Sequence, residues 1–344
     1  MYKILVVGPS WIGDTVLAQP LLRRLRERHV DLELDVLAPL WTLPLVQRMP
    51  EVSHAIASPL GRGRLMLATR WRLARELAGQ RYDQCIVLPN SFKSALVARL
   101  AGIGLRTGYT GEFRYPLLND ARRLDKRALP LMVERYAALA DSPGTQLKRP
   151  LPLPRLAVRE RERAALRNRL ALTRAAPVAI MCPGAEYGPA KRWPAAYFSE
   201  LARAFDRDGW QTWVVGSPKD RAIGEQIASS SADVCVNLCG TTNLDEAVDL
   251  ISCARLVVSN DSGLMHVAAA LDVPLVALYG SSSPTFTPPL SARASVLKLD
   301  LPCSPCYKRE CPLQHFNCMV QLTPDRVYQA VADLQAKAAA ATLP

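Results

Sequence analysis

No apolar run in the 344 residues reaches the roughly 18–20 that a membrane-spanning helix requires. The opening Met1-Tyr2-Lys3-Ile4-Leu5-Val6-Val7-Gly8 lacks a basic leader, an apolar stretch and a small-residue cleavage site. It reads as a first strand and not as a secretion signal, so a cytoplasmic protein is expected. Two nucleotide-loop fingerprints are also missing. Gly8 and Gly13 stand five apart, which is not Gly-x-Gly-x-x-Gly, and no Gly-Lys-Ser/Thr follows. There is no short-period repeat. The basic half carries no RNA- or DNA-binding motif, and its aromatics are not interleaved in a stacking pattern, so nucleic acid is not expected as a partner.

What is present suits two domains: the chain is too long for one typical core. The formal net charge is +12 and is unevenly placed. Residues 1–155 hold 24 Lys and Arg against 13 Asp and Glu, a net +11, while residues 156–344 hold 19 against 18, a net +1. A basic half implies an anionic partner, such as an acidic substrate or an acidic membrane surface.

Short β-branched runs alternate with longer amphipathic stretches. Strands are expected at Lys3–Val7, Leu32–Leu37, His54–Ala57 and Gln84–Leu88, with helices at Asp14–His29, Leu65–Ala78 and Ser91–Leu100. Pro20 is expected to kink the first helix. The second half repeats the logic, with strands at Val178–Cys182, Gln211–Val215, Val234–Asn237, Leu256–Ser259 and Leu275–Tyr279. Helices are expected at Arg159–Leu172, Pro194–Asp206, Lys219–Ser229, Leu244–Cys253 and Gly263–Leu271, and Ala336–Leu343 as a fraying helix end. A proline-rich stretch from Pro143 to Pro154 cannot continue either sheet. The expected architecture is α/β: two doubly wound Rossmann-like domains, 1–155 and 156–344, facing across a cleft. Ligands of such sheets sit outside the carboxyl ends of the strands, so the residues just after strands carry the information.

Four segments stand out. Gly8-Pro9-Ser10-Trp11-Ile12-Gly13-Asp14 follows the first strand, with Asp14 at a helix start, either as an ordinary N-cap or as a functional carboxylate. Cys182-Pro183-Gly184-Ala185-Glu186-Tyr187-Gly188-Pro189-Ala190-Lys191-Arg192-Trp193-Pro194 offers backbone N–H groups and two cations, fit for a diphosphate or for a plain surface loop. Ser259-Asn260-Asp261-Ser262-Gly263-Leu264-Met265-His266 ends a strand and opens a helix. Asp261 or Ser262 can cap that helix, and its N-terminus favours phosphate. Last comes Cys303-x2-Cys306-x4-Cys311-x6-Cys318, which starts like a zinc site and then spaces irregularly. Structural zinc, free thiols and two disulfides are all open. The remaining cysteines, Cys85, Cys182, Cys235, Cys239 and Cys253, read as scattered buried thiols.

Together with Asn90-Ser91-Phe92-Lys93-Ser94-Ala95-Leu96 and Gly111-Glu112-Phe113-Arg114-Tyr115, the first three segments resemble the lipopolysaccharide heptosyltransferases from Met1 to about residue 290. The resemblance implies a GT-B fold, inversion at the anomeric carbon, no cofactor and no metal for turnover. It implies transfer of L-glycero-D-manno-heptose from ADP-heptose to the first heptose of the lipopolysaccharide inner core. The branch that adds the first heptose, or a later core heptose, is the alternative. Carried over residue by residue, it makes Asp14 the catalytic base. Lys191 meets the donor diphosphate, with Asp261, Ser262, Gly263 and His266 at the helix start and Pro183, Gly184 and Glu186 in the preceding loop. Asp220 falls at the ribose and Thr242 at the adenine. Ser10, Trp11, Asn90, Lys93 and Arg114 fall to the acceptor. That acceptor, heptosyl-Kdo2-lipid A, is anionic, which accords with the basic half and with peripheral attachment at the inner face of the cytoplasmic membrane.

Overall fold

Six runs of the first half line up as one parallel sheet: β1 (Tyr2–Val7), β2 (Leu32–Pro39), β3 (His54–Ser58), β4 (Gln84–Val87), β5 (Leu105–Tyr109) and β6 (Asp120–Arg122). Their spatial order is β3-β2-β1-β4-β5-β6. The register sets Tyr2 against Leu32 and Ile4 against Gln84, so β1 is central. Ile4 to Val7 are all buried, as befits a parallel strand covered on both faces. The covering helices are α1 (Ile12–Leu17), α2 (Gln19–Arg28), α3 (Leu43–Val46), α4 (Leu67–Ala78), α5 (Phe92–Leu100) and α6 (Met132–Ala137). Leu73, Ala74 and Leu77 of α4 and Ala95 and Ala98 of α5 close the core over Leu5, Cys85 and Val87.

The computed structural model describes residues 1–61 and 63–340. The chain divides into two compact units, Met1–Ala157 and the remainder from Val158. The second unit holds β7 (Val178–Cys182), β8 (Gln211–Val214), β9 (Cys235–Asn237), β10 (Leu256–Asn260), β11 (Leu275–Tyr279) and β12 (Ala294–Lys298), in the order β12-β11-β10-β7-β8-β9. Its helices are α7 (Glu160–Arg169), α8 (Ala195–Arg207), α9 (Arg221–Ser230), α10 (Leu244–Ser252), α11 (Gly263–Ala270), α12 (Asn317–Val320) and α13 (Pro324–Ala340). Residues 341–343 of the expected Ala-rich helix end lie outside the described residues. One core joins Trp193, Phe198, Leu201 and Phe205 to Met319, Leu322 and Val327. Phe198 meets Trp193 edge-on at 4.8 Å between ring centroids, a geometry that aromatic quadrupoles favour. Both sheets are wholly parallel, as expected for the α/β class.

The helix expected over 14–29 is two helices. Ala18 separates them, and α2 carries Pro20 in its first turn. Proline has no N–H to return to the preceding turn but fits a helix start, so the expected kink becomes a break. The proline-rich segment forms neither strand nor helix and is strapped to α2. Gln19 donates to the Arg155 carbonyl at 2.6 Å and accepts from its N–H at 2.8 Å, and Arg23 donates to Leu153.

Candidate active site

Both sheets reverse their strand order once, between β1 and β4 in the first unit and between β7 and β10 in the second. At such a switch point neighbouring connections leave in opposite directions and open a crevice at the carboxyl edge. The loops after these four strands are the ones singled out from sequence: 8–14, 88–92, 183–193 and 261–263.

In the first unit, Asp14 is the third residue of α1 and not its N-cap. The cap position belongs to Trp11, which has extended backbone at φ −101° and ψ 140°. The Trp11 carbonyl accepts from both N–H and hydroxyl of Thr15 at 2.9 Å, which fixes the turn that presents Asp14. Tyr136 of α6 lies near enough for Asp14 to add to the effect of burial, which itself raises the phenol well above its usual range. Trp11 and Trp41 stand 39% and 41% exposed beside this loop, and the Trp41 indole donates to the Ser10 carbonyl at 2.8 Å.

Arg114 corrects an expectation. It does not project toward an acceptor: it is 1% exposed. Its guanidinium donates to the Pro89 carbonyl at 2.5 Å, the Tyr109 carbonyl at 2.7 Å and the Asn90 side-chain oxygen at 2.7 Å. Burial lowers its pKa to about 10, partly opposed by Glu112. Its role is to pin the loop after β5 to the loop after β4. Asn90 stays exposed on that loop, and Lys93 is half-buried with its carbonyl accepting from Arg70 at 2.6 Å.

In the second unit, Asn260, fully buried at the end of β10, ties the two loops together. It donates to the Pro183 carbonyl at 2.8 Å and accepts from the Trp193 N–H at 3.1 Å. Lys191 and Asp261 form an ion pair of 2.5 Å with side chains 17% and 5% exposed. Ser282 donates its hydroxyl to the same carboxylate oxygen. Ser262 occupies the N-cap position of α11 but makes no capping bond, so the first N–H groups of the helix keep no side-chain partner. Such donors and the helix dipole suit an anion.

His266 lies one turn into α11, 4% exposed. Burial lowers its pKa to about 4; Asp261 opposes the shift and Lys191 adds to it. It is therefore neutral at neutral pH, and Lys191 rather than His266 supplies the positive charge. Glu186 pairs with Lys219 at 2.6 Å, both exposed, a contact worth little. Asp220 is 8% exposed and accepts from the Ser217 N–H at 2.9 Å and hydroxyl at 2.7 Å. It packs against Gly184, where a Cβ would stand 2.5 Å from its carboxylate, so only glycine fits there.

Among the described residues, seven buried side-chain atoms have no hydrogen-bond partner. Three of them, Thr242 Oγ1, His266 Nδ1 and Ser281 Oγ, lie just after β9, β10 and β11. Buried polar groups are nearly always paired, so orphans concentrated on one edge mark where a polar ligand belongs. Sequence reasoning missed Ser281, Ser282 and Ser283. Three serines directly after a central strand were the available signal.

Two parallel sheets in Rossmann order, with anion-ready loops at the switch points, are the make-up of a GT-B glycosyltransferase. A model of glycosyltransferase family 9 (heptosyltransferase) matches residues 70–317, and the chain belongs to that family. Lipopolysaccharide heptosyltransferase 2 of Salmonella typhimurium strain LT2 is 48% identical over 341 residues, covering 96% of this chain and 98% of its own length. The solved structure of E. coli ADP-heptose lps heptosyltransferase II matches with a TM-score of 0.87 at 46% identity, covering 97% of this chain and 99% of that one. Lipopolysaccharide heptosyltransferase 1 of Pseudomonas aeruginosa is 27% identical, covering 94% of this chain and 96% of its own length.

Proposed function

We propose that this glycosyltransferase moves L-glycero-D-manno-heptose from ADP-heptose to the first heptose of the lipopolysaccharide inner core, with inversion. The observation that carries the donor side is the grouping at the β7–β10 switch point. The Lys191–Asp261 pair sits at the start of α11, and buried orphan atoms of Thr242, His266 and Ser281 follow β9, β10 and β11 of the same sheet. The second unit takes the nucleotide sugar: Lys191 and the N–H groups at Ser262 and Gly263 meet the diphosphate, Asp220 the ribose and Thr242 the adenine. The first unit takes the acceptor through Ser10, Trp11, Asn90 and Lys93.

Inversion is one displacement. Asp14 takes the proton of the acceptor hydroxyl as its oxygen attacks the anomeric carbon, and ADP departs from the opposite face with the bonding electrons. Charge that develops on the leaving diphosphate is met by Lys191 and the helix terminus. No metal takes part in this step, and the four cysteines of 303–318 have a structural role.

Identity of 48% to a heptosyltransferase 2, against 27% to a heptosyltransferase 1, favours the second heptose over the first. The acceptor bears Kdo carboxylates and lipid A phosphates, matching the net +11 of residues 1–155. No helix of the described residues is long and apolar enough to cross a membrane. The protein works at the inner face of the cytoplasmic membrane as a peripheral enzyme. The test is to incubate it with ADP-heptose and two acceptors, one ending in a single heptose and one ending in Kdo, and weigh the products. Gain of one heptose on the first acceptor alone is expected. Gain on the second alone assigns the sibling activity, and no gain on either overturns the reading.

A further inference from the structure

The 183–193 loop and the start of α11 bring little net positive charge to a diphosphate. The Lys191 ammonium is already paired with Asp261 at 2.5 Å, and His266 is neutral at neutral pH. Asp220 sets a further carboxylate against Gly184, and Glu186 is matched by Lys219. A diphosphate gains negative charge as it leaves a sugar, so its site calls for cations beyond one neutralised pair.

Such a cation stands beside Lys191 on another segment. Residues 299–316 run between β12 and α12 without helix or strand, and irregular stretches of this length are uncommon in compact domains unless they carry function. Arg309 lies within this one and is exposed. The centroid of the Tyr187 ring is 5.3 Å from the Lys191 ammonium and 5.3 Å from the Arg309 guanidinium, within cation–π range of both. At most twice that distance separates the two cations, about one Debye length at roughly 0.1 M salt. Among the described residues no carboxylate pairs with Arg309, and no acceptor takes its side-chain N–H groups. Its planar fork of donors is therefore unspent, and such a fork matches phosphate oxygens two at a time.

Backbone contacts fix the arginine in this place. The Arg309 carbonyl accepts from the Ala190 N–H at 3.0 Å, and a Cβ on Gly188 would collide with it. Tyr187 donates its hydroxyl to the Tyr307 carbonyl at 2.8 Å. Tyr307 donates its N–H to the Ser281 carbonyl at 2.6 Å, and Ser304 donates its hydroxyl to the Gly280 carbonyl at 2.7 Å. The loop after β11 that receives these bonds also holds Ser282, which donates to Asp261. The segment is thus tied to both loops that hold the Lys191–Asp261 pair.

We propose that Arg309 is a second cation for the donor diphosphate, held beside Lys191 by the ring of Tyr187. This rests on the donor reading above and extends it to a segment outside the strand–loop–helix units. The two cations repel each other, and an anion that meets both replaces that repulsion with two attractions. Arg309 takes phosphate oxygens, whereas Tyr187 touches no ligand and positions the pair.

Calorimetry with ADP and with adenosine, on the full chain, tests this. Arg309→Gln keeps much of the reach of the side chain and removes its charge. ADP affinity should fall roughly tenfold, the loss of about one charge-assisted contact, while adenosine affinity stays within about twofold. ADP binding should also depend less steeply on salt. Arg309→Lys, which keeps the charge without the fork, should recover part of the loss. Tyr187→Leu should weaken ADP binding in the wild type and weaken it less in the Arg309→Gln background, because the ring then has one cation fewer to hold. ADP affinity unchanged in Arg309→Gln but lowered in Lys191→Ala overturns the proposal and leaves the donor reading in place. Unchanged affinity in both variants overturns the donor reading itself. Equal losses for ADP and adenosine would trace the effect to the fold of the loop and overturn the phosphate role. Strictly additive losses from Arg309→Gln and Tyr187→Leu overturn the positioning role of the ring.

Discussion

Lys191 and Asp261 stand 2.5 Å apart at the start of α11, and both side chains are largely buried. The pair holds the one ammonium of the 183–193 loop at the start of α11, whose N–H groups suit an anion. Asp261 keeps that ammonium positioned, and the Ser282 hydroxyl shares the carboxylate. If Lys191 meets the donor as proposed, removing it strips a charge-assisted contact from bound donor and transition state alike, and it leaves Asp261 buried without its cation. Lys191→Ala should weaken ADP binding and lower kcat/KM by roughly tenfold or more. Calorimetry with ADP and steady-state kinetics check this; unchanged values for both would remove Lys191 from the donor site.

His266 gives a pH signature. Its folded pKa of about 4 lies below the ordinary 6.5, chiefly through burial. Between those values the unfolded chain takes up a proton that the native imidazole refuses. The contribution to stability is therefore complete above 6.5 and is lost as pH falls toward 4. By pH 5 it amounts to about 2 kcal/mol. Urea unfolding at pH 7 and pH 5 should show wild type losing more stability than His266→Gln by that margin. Equal losses in the two proteins would mean that His266 titrates normally in the fold.

Arg114 should behave as a structural residue. Its donors satisfy two backbone carbonyls and Asn90 in a site with 1% exposure. Arg114→Met leaves those acceptors unpaired and should cost about 2–4 kcal/mol of stability. Chemical denaturation measures the cost. The folded fraction should retain the acceptor KM within a factor of about two, since a buried arginine that bonds the chain's own carbonyls makes no contact with a ligand itself; a large rise in KM alone would restore Arg114 to the acceptor.

The central strands were legible because they are short apolar runs after which the chain turns to glycine or proline. Val178–Cys182 and Leu275–Tyr279 appear with the bounds expected from sequence. Of the edge strands, β3 and β9 were expected, but β6 and β12 were not, nor was the interior β5: β6 is three residues with two charges, and β12 is only partly buried, so neither has a pattern of its own and both exist through pairing with β5 and β11. At the site, the residues nearest the switch points were readable from strand–loop–helix order. Arg114 was not, because a cation after a strand looks alike whether it faces solvent or folds back onto carbonyls. Ser281 to Ser283 were passed over since serine carries no strong signal until its burial is known.

Asp14 provides the sharpest separation of roles. Since Trp11 holds the N-cap position, the structural alternative for Asp14 is a first-turn acid favoured by the helix dipole, worth about 0.3–1 kcal/mol. A general base instead contributes roughly 10²–10⁴-fold in rate, provided that its oxygen comes within about 2.6–3.2 Å of the hydroxyl in the reactive complex. Asp14→Asn keeps the size and hydrogen-bonding reach of the side chain and removes its ability to take a proton. The dipole account requires a slightly less stable enzyme that turns over normally. The catalytic account requires a folded protein that binds ADP as wild type does, because the donor groups lie on the other unit, and whose kcat drops at least about a hundredfold. A second variant, Asp14→Glu, keeps the acid but lengthens it by one methylene; partial recovery of kcat over the Asn variant is expected, since the proton acceptor returns in a displaced position. Denaturation midpoint, ADP affinity and heptose transfer measured on all three proteins decide the matter. Near-wild-type transfer by Asp14→Asn would end the catalytic assignment, whereas lost transfer with intact folding and ADP binding leaves proton abstraction as the role the side chain performs.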